Sequence, residues 1–284
     1  MNADSAFVIG RSHAVCQDYA VAGFIEKDGA TNSYTIVADG CSSSPDTDIG
    51  ARLLVKAAQR SLLARGELTE SSVNDLYDDA TRAALKQARL IDLSGCSIDA
   101  TLLAICASGG KVTAACYGDG TVALQSRRGD LDVYSISFAD GRPRYPSYLR
   151  QPDRLRVFDE LTGNTKHVSH VRLTSREGVV DLGTRTSVDA VEVFTRDATD
   201  YEYVAVITDG VESFSQMVHT DTTKQVERLE SERILGDLLG FKSFGGAFVK
   251  RRLSRFLMEC NKKDWRNGDD LAVGVVYLGS KDRQ

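Results

Sequence analysis

Proline is scarce in this chain. There are four in 284 residues, and three of them (Pro143, Pro146 and Pro152) fall between positions 138 and 161. Elsewhere the chain is almost free of the residue that most reliably breaks helices and strands. Long apolar runs are missing as well; none reaches the roughly 18 residues that a membrane-spanning helix requires. There is no basic excess: 35 Lys and Arg against 40 Asp and Glu leave a net charge of −5, which argues against a nucleic-acid-binding surface. The opening Met1-Asn2-Ala3-Asp4-Ser5 has neither the basic nor the apolar region of a signal peptide. The six cysteines (Cys16, Cys41, Cys96, Cys106, Cys116 and Cys260) show no Cys-x-x-Cys spacing, so a structural zinc site is not expected. The expectation is a cytoplasmic protein with reduced thiols, bound to neither nucleic acid nor membrane. The phosphate loop Gly-x-x-x-x-Gly-Lys-Ser/Thr, the zinc motif His-Glu-x-x-His and the serine elbow Gly-x-Ser-x-Gly are also absent, which removes three large enzyme classes.

What is present is an ordinary globular composition, 42% hydrophobic and 26% charged, with one phrase written twice. The apolar run Ile36-Val37-Ala38 stops on Asp39-Gly40-Cys41, and Val206-Ile207-Thr208 stops on Asp209-Gly210-Val211. A third acidic stretch, Gly268-Asp269-Asp270, stands just before the apolar run Leu271–Val276. Short apolar, β-branched runs read as buried strands. A carboxylate at the lip of such a strand is held rigidly, and the neighbouring glycine lets backbone approach closely. Oxygen-only ligands favour magnesium, manganese or calcium over zinc.

In chain order, residues 7–9, 18–25 and 34–38 read as strands. Helical spacing follows at Ile49, Leu53, Leu54, Ala57, Ala58 and Leu62, closed by Gly66. A second helix starts near Ser72, an N-cap with Asp75 three residues on. Strands return at 100–107, 111–117, 121–125 and 131–136, with hairpin turns at Gly109-Gly110 and Gly118-Asp119-Gly120. From 138 to 161 the pattern dissolves into a proline-bearing loop containing Arg142, Arg144, Arg150, Arg154 and Arg156. Strands are expected near 168–173, 189–195 and 203–208, helices over 224–239 and 245–260, and a last strand over 271–278. Single strands do not alternate with single helices, so a doubly wound parallel sheet is disfavoured. The expectation is one α+β domain over 1–284.

Together these motifs resemble the metal-dependent protein phosphatases of type 2C, in a divergent, bacterial-like form. Gln17-Asp18 is similar to the family's early acidic pair, and Ile36–Gly40 to its metal-binding Asp-Gly strand. Ser97-Ile98-Asp99-Ala100-Thr101 is similar to its Gly-Thr-Thr segment, and Tyr117-Gly118-Asp119-Gly120 to its Gly-Asp-Ser turn. Ile207–Val211 and Asp269-Asp270-Leu271 match the second Asp-Gly and the closing Asp-Asn motifs. The resemblance implies a β-sandwich of two antiparallel sheets flanked by helix pairs, a four-layer αββα fold. It implies two Mn2+ or Mg2+ ions held by Asp39, Asp209, Asp269 and the Gly40 carbonyl. Asp18 would act through water, and Asp119 would help hold a weaker third ion. It further implies in-line attack of a metal-bridging hydroxide on phosphoserine or phosphothreonine. The partners so implied are a phosphorylated protein substrate and a cognate Ser/Thr kinase, with the phosphatase a monomer.

Four positions depart from the family pattern, one being Gln17, which replaces the Glu of the early acidic pair. His13 stands where an Arg usually grips phosphate, with Arg11 two residues away as a second candidate. Cys41 stands where a His often protonates the leaving group, which leaves that proton unassigned. Asp270 replaces Asn, and can either strengthen the metal site or simply cap the strand. These departures leave an alternative open, a catalytically weak or silent relative that binds or regulates. The basic stretch at 138–161 is either a flap that reads phosphate or acidic flanks, or a solvated loop. Cys260 and Arg266 formally supply the Cys-x5-Arg of a cysteine phosphatase, but no glycine lies between them. His167 and His170 have no acidic or Cys partner in sequence and read as surface residues.

Overall fold

The computed structural model describes residues 1–27, 29–219 and 224–279. In chain order the elements are β1 (Asn2–Val8), β2 (Tyr19–Lys27), β3 (Ala30–Ala38), α1 (Thr47–Arg65), α2 (Val73–Leu90), β4 (Leu102–Ser108), β5 (Lys111–Tyr117), β6 (Gly120–Ser126), β7 (Leu131–Phe138) and α3 (Pro152–Thr162). They continue with β8 (Lys166–Thr174), β9 (Gly178–Ser187), β10 (Val191–Asp197), β11 (Tyr201–Ile207), β12 (Phe214–His219), β13 (Lys224–Arg228), α4 (Ser231–Leu238), α5 (Phe248–Lys262), β14 (Trp265–Asn267) and β15 (Leu271–Tyr277).

Two antiparallel sheets carry the fold. One has seven strands in the order β1-β15-β11-β6-β7-β8-β9, and the other five in the order β10-β5-β4-β3-β2. A small third sheet, β13-β12-β14, lies beside them in the topology. Period-two alternation sorts each strand between layers. In β3, Ile36 and Ala38 join α1 and α2 in one core, while Val37 joins the core between the sheets. In β11, Ala205 and Ile207 face α4 and α5, while Val204 and Val206 face the other sheet. Three apolar layers therefore alternate with two sheets and two helix pairs, the αββα order implied by the resemblance. Truncating one of the fully buried leucines, such as Leu54 or Leu103, would cost about 2–5 kcal/mol.

Local sequence explains the helices. The α1 stripe Ala51, Leu54, Val55, Ala58 and Leu62 is buried at helical spacing, and Gly66 ends the helix in a left-handed conformation. Ser72 precedes α2 as expected, but its hydroxyl engages Thr69 rather than capping the helix.

Two expectations need correction. The stretch 138–161 is not a structureless loop: two short 3-10 turns lead into α3, which Pro152 opens and Gly163 closes in a left-handed conformation. Only Phe158 of α3 is buried, so its apolar stripe is too thin to read as a helix. The expected helix over 224–239 is shorter. Its first part is strand β13, paired to β12, and only Ser231–Leu238 is helical.

Candidate active site

Antiparallel pairing sets the start of one strand beside the end of its neighbour, and that is what collects the acids. Tyr19 opens β2 opposite Ala38 at the end of β3, so Asp18 and Asp39 leave the five-stranded sheet together. In the other sheet, Ile207 at the end of β11 pairs with Thr121 near the start of β6 and with Val273 near the start of β15. Asp119, Asp209 and Asp269 therefore leave the seven-stranded sheet at one edge. Asp39, Asp119, Asp209 and Asp269 line one cleft of about 660 Å3, with His13 and Gly40 beside them. Asp18 lies deeper, 1% exposed, where its Oδ2 accepts the Thr208 hydroxyl at 2.7 Å.

The turn after β3 is fixed by backbone. Thr101 N–H donates to the Asp39 carbonyl at 2.8 Å, and Cys41 N–H to the Asp99 carbonyl at 2.8 Å. The Thr101 hydroxyl accepts the Asp39 N–H at 3.1 Å. Both Asp-Gly glycines are demanded by crowding. A Cβ on Gly210 would lie 1.7 Å from the Asp270 carbonyl oxygen, and one on Gly40 would lie 2.8 Å from that of Thr47.

The acids repel one another. Burial, above all, raises the carboxyls of Asp18, Asp39 and Asp119 well over the usual range, and neighbouring carboxylates raise them further. Burial and the charge of Asp269 push Asp209 up to about 6. Asp18 Oδ1 and Asp119 Oδ1 are buried with no hydrogen-bond partner. Buried oxygens without donors, crowded by like charge, are what a divalent cation relieves, so the donor set fits hard metal ions. Among the described residues, no three His, Cys, Asp or Glu side chains are grouped tightly enough to enclose an ion alone. Magnesium-like ions are usually held by one or two carboxylates plus waters.

His13 lines the cleft between two carboxylates, with Nε2 3.4 Å from Asp269 and Nδ1 3.1 Å from Asp270. Burial lowers its pKa, but the neighbouring Asp270 and Asp269 carboxylates outweigh that and raise it. Arg11 does not line the cleft; its guanidinium reaches Asn261 at 3.2 Å. Asp270 is buried and serves the fold directly, accepting the backbone N–H groups of Gly10 (2.7 Å) and Gln17 (2.5 Å). It clasps the 10–18 segment over the cleft.

Most of the arginines from 138–161 are engaged. Arg144 reaches Asn164, Arg150 pairs with Asp78, Arg156 with Glu160, and Arg154 grips Asp99. Arg142 lines the cleft and makes no ion pair among the described residues. Tyr145 also lines it, facing Cys41. Burial would raise the Cys41 thiol, but hydrogen bonds from Ser43, Tyr145 and Ser44 bring it below its ordinary value. Sequence reasoning places Asp99 in a family-like segment and Arg154 in the basic stretch, but nothing in it pairs the two, and no motif or period marks Tyr145. Cys260 lies on the buried face of α5, where burial pushes its thiol up to about 11. It is remote in role from any phosphate chemistry. His170 meets Asp132 at 3.0 Å and stacks on Tyr134, and His167 is exposed.

Fold and cleft together define a class: an αββα sandwich whose strand ends gather carboxylates in one cleft. A family profile described as protein phosphatase 2C matches residues 9–258. A bacterial serine phosphatase structure aligns over 99% of both chains at 11% identity, TM-score 0.54. The serine/threonine phosphatase Stp1 of Staphylococcus aureus aligns over 99% of this chain and 96% of its own, at 10% identity and TM-score 0.54. The S. agalactiae serine/threonine phosphatase covers 98% and 99%, at 13% identity and TM-score 0.51. At these identities the likeness is one of fold. No curated protein sequence matches the chain. The chain belongs to the protein phosphatase 2C family, and its activity is that of a metal-dependent protein-serine/threonine phosphatase.

Proposed function

We propose that Asp39, Asp209 and Asp269, with the Gly40 carbonyl, hold two Mn2+ or Mg2+ ions at the cleft floor. Asp18 would act through their waters, and Asp119 would help hold a weaker third ion. The observation that carries this reading is the set of crowded, mutually repelling carboxylates, buried at Asp18 and half-buried at the others, with orphaned oxygens at Asp18 and Asp119. When bound, the ions supply Lewis-acid activation of water and neutralise phosphate charge.

The chain's own residues do the rest. The strand ends fix the carboxylates before substrate arrives, so little reorganisation is needed when charge develops. His13 presents its imidazole at the cleft wall and, when protonated, adds positive charge where a phosphate oxygen would lie. Arg11, held toward Asn261, is the second candidate for that contact. The carboxylates perform no covalent chemistry.

The substrate is a phosphorylated protein, opposed in signalling by a Ser/Thr kinase, and the phosphatase works as a cytoplasmic monomer with one catalytic domain over 1–284. No helix among the described residues is long and apolar enough to cross a membrane. The test is hydrolysis of an aryl phosphate and a phosphothreonine peptide with manganese. Asp39→Ala and Asp209→Ala are each expected to abolish both activities; full turnover in either variant sinks the assignment.

A further inference from the structure

The cleft is longer than a phosphate requires. Asp39, Asp119, Asp209 and Asp269 line one part of it, and one face of α3 walls another. Asp153, Arg154, Val157, Phe158, Leu161 and Thr162 line it, a spacing of three and four that places them on a single helical stripe. Phe158 is buried and anchors the helix against Phe138 and Tyr148, with ring centroids 6.1 and 5.6 Å away. Val157 and Leu161 remain 45% and 64% exposed. They share the cleft with Tyr145 and Tyr148. Apolar surface left open in a concave site, beside a few polar groups, is the composition of a side-chain pocket.

One buried residue holds this wall in place. Asp99 is fully buried and receives the Arg154 fork, Nη1 to Oδ1 at 2.9 Å and Nη2 to Oδ2 at 2.6 Å. It also accepts the hydroxyls of Ser147 at 2.6 Å and Ser44 at 2.9 Å. Its backbone carbonyl takes the Cys41 N–H. A single carboxylate thus ties α3, the segment leading into it and the turn after Gly40. Paired forks of this kind add geometric precision as well as energy. The Arg154 guanidinium also lies 4.8 Å from the Tyr148 ring centre, which braces the same wall.

We propose that the α3 half of the cleft is a subsite for an apolar side chain next to the phosphorylated residue of a substrate protein. Val157 and Leu161 are the specificity residues, and Arg154, clamped by Asp99, is a positioning residue. The inference rests on the phosphatase reading. A phosphorylated side chain held at the acid end leaves the flanking residues of its peptide in the remainder of the same cavity, against α3. Four of the five arginines of this segment are engaged elsewhere, which leaves Arg142 as the one cleft-lining arginine without an ion pair among the described residues; a preference for the acidic-flank peptide is the outcome that would favour it.

The experiment compares kcat/KM for two phosphothreonine peptides that differ only in flanking residues, leucine in one and aspartate in the other. Wild type should prefer the leucine peptide by about tenfold, the scale on which apolar pockets discriminate. Leu161→Asp and Val157→Asp, both at exposed positions, should bring that ratio to one or below. Arg154→Ala should reduce the ratio through KM rather than kcat, with partial recovery in Arg154→Lys. Equal handling of both peptides by wild type, or a full preference surviving Leu161→Asp, overturns the subsite. Wild-type turnover of an aryl phosphate tests the phosphatase reading separately. If that turnover were absent, fluorescence anisotropy of the same two peptides would still decide the subsite by their relative affinities.

Discussion

Asp270 and Gln17 stand 253 positions apart in sequence, yet the Asp270 carboxylate accepts the Gln17 backbone N–H at 2.5 Å. The other carboxylate oxygen accepts the Gly10 N–H at 2.7 Å. Together they hold the 10–18 segment, and with it His13 and Asp18, against the strand ends. Neither alternative from sequence describes this role fully: Asp270 is a clasp. Asp270→Ala would leave two amides near the cleft without that acceptor, a loss of about 1–3 kcal/mol for each one left buried and unpaired. A urea unfolding series should show the reduced midpoint, with reduced turnover alongside. Wild-type stability in Asp270→Ala would contradict the clasp.

A second prediction concerns acid stability. Lys166 is 1% exposed, and its ammonium lies 3.1 Å from Glu192, which Arg185 also engages. Burial alone would raise the Glu192 carboxyl, but the Arg185 hydrogen bond and the Lys166 charge outweigh it and lower its pKa. A carboxyl depressed in the folded state contributes stability that is complete above its unfolded pKa, about 4.3, and is lost as pH falls through the folded value. Glu192→Gln should therefore be less stable than wild type near neutrality, by about 3–5 kcal/mol if Lys166 stays buried and charged. The gap should narrow as pH drops below about 4. Unfolding midpoints across that range check it, and a constant gap would refute it.

The crowded carboxylates predict opposite effects of one substitution with and without metal. In chelator, Asp39 is half-buried and crowded by the Asp18, Asp209 and Asp119 carboxylates, so Asp39→Asn should raise the melting temperature by about 2 °C or more. Manganese should stabilise wild type by about 2.7 kcal/mol at a hundredfold excess over Kd, and should stabilise Asp39→Asn much less. Thermal unfolding in both conditions provides the check. Equal manganese stabilisation of the two proteins would remove Asp39 from the metal site.

Much of this was legible in the sequence, and for identifiable reasons. Strands β3, β11 and β15 are buried on both faces, so they appear as continuous apolar runs, and the acids at their ends stand out. The helices α1 and α2 bury a full stripe and show their period. By contrast, β9 is exposed along most of its length, and with no buried face it leaves no alternation to read. The short strands β12 and β14 were missed because three to six residues are too few to establish a period. The Asp99–Arg154 pair spans 55 positions, and it becomes visible only when α3 is seen to cross the turn after Gly40. Gly210 shows the reverse: its Asp-Gly phrase was readable, but the reason for the glycine is the Asp270 carbonyl, which arrives from β15's approach.

The central claim is that the cleft acids work by holding divalent cations that drive phosphomonoester hydrolysis. The most direct measurement is aryl phosphate turnover by wild-type protein stripped with chelator and then titrated with manganese. The expected result is no turnover in chelator and saturable recovery as manganese is added. Full turnover in the continued presence of chelator would contradict the account.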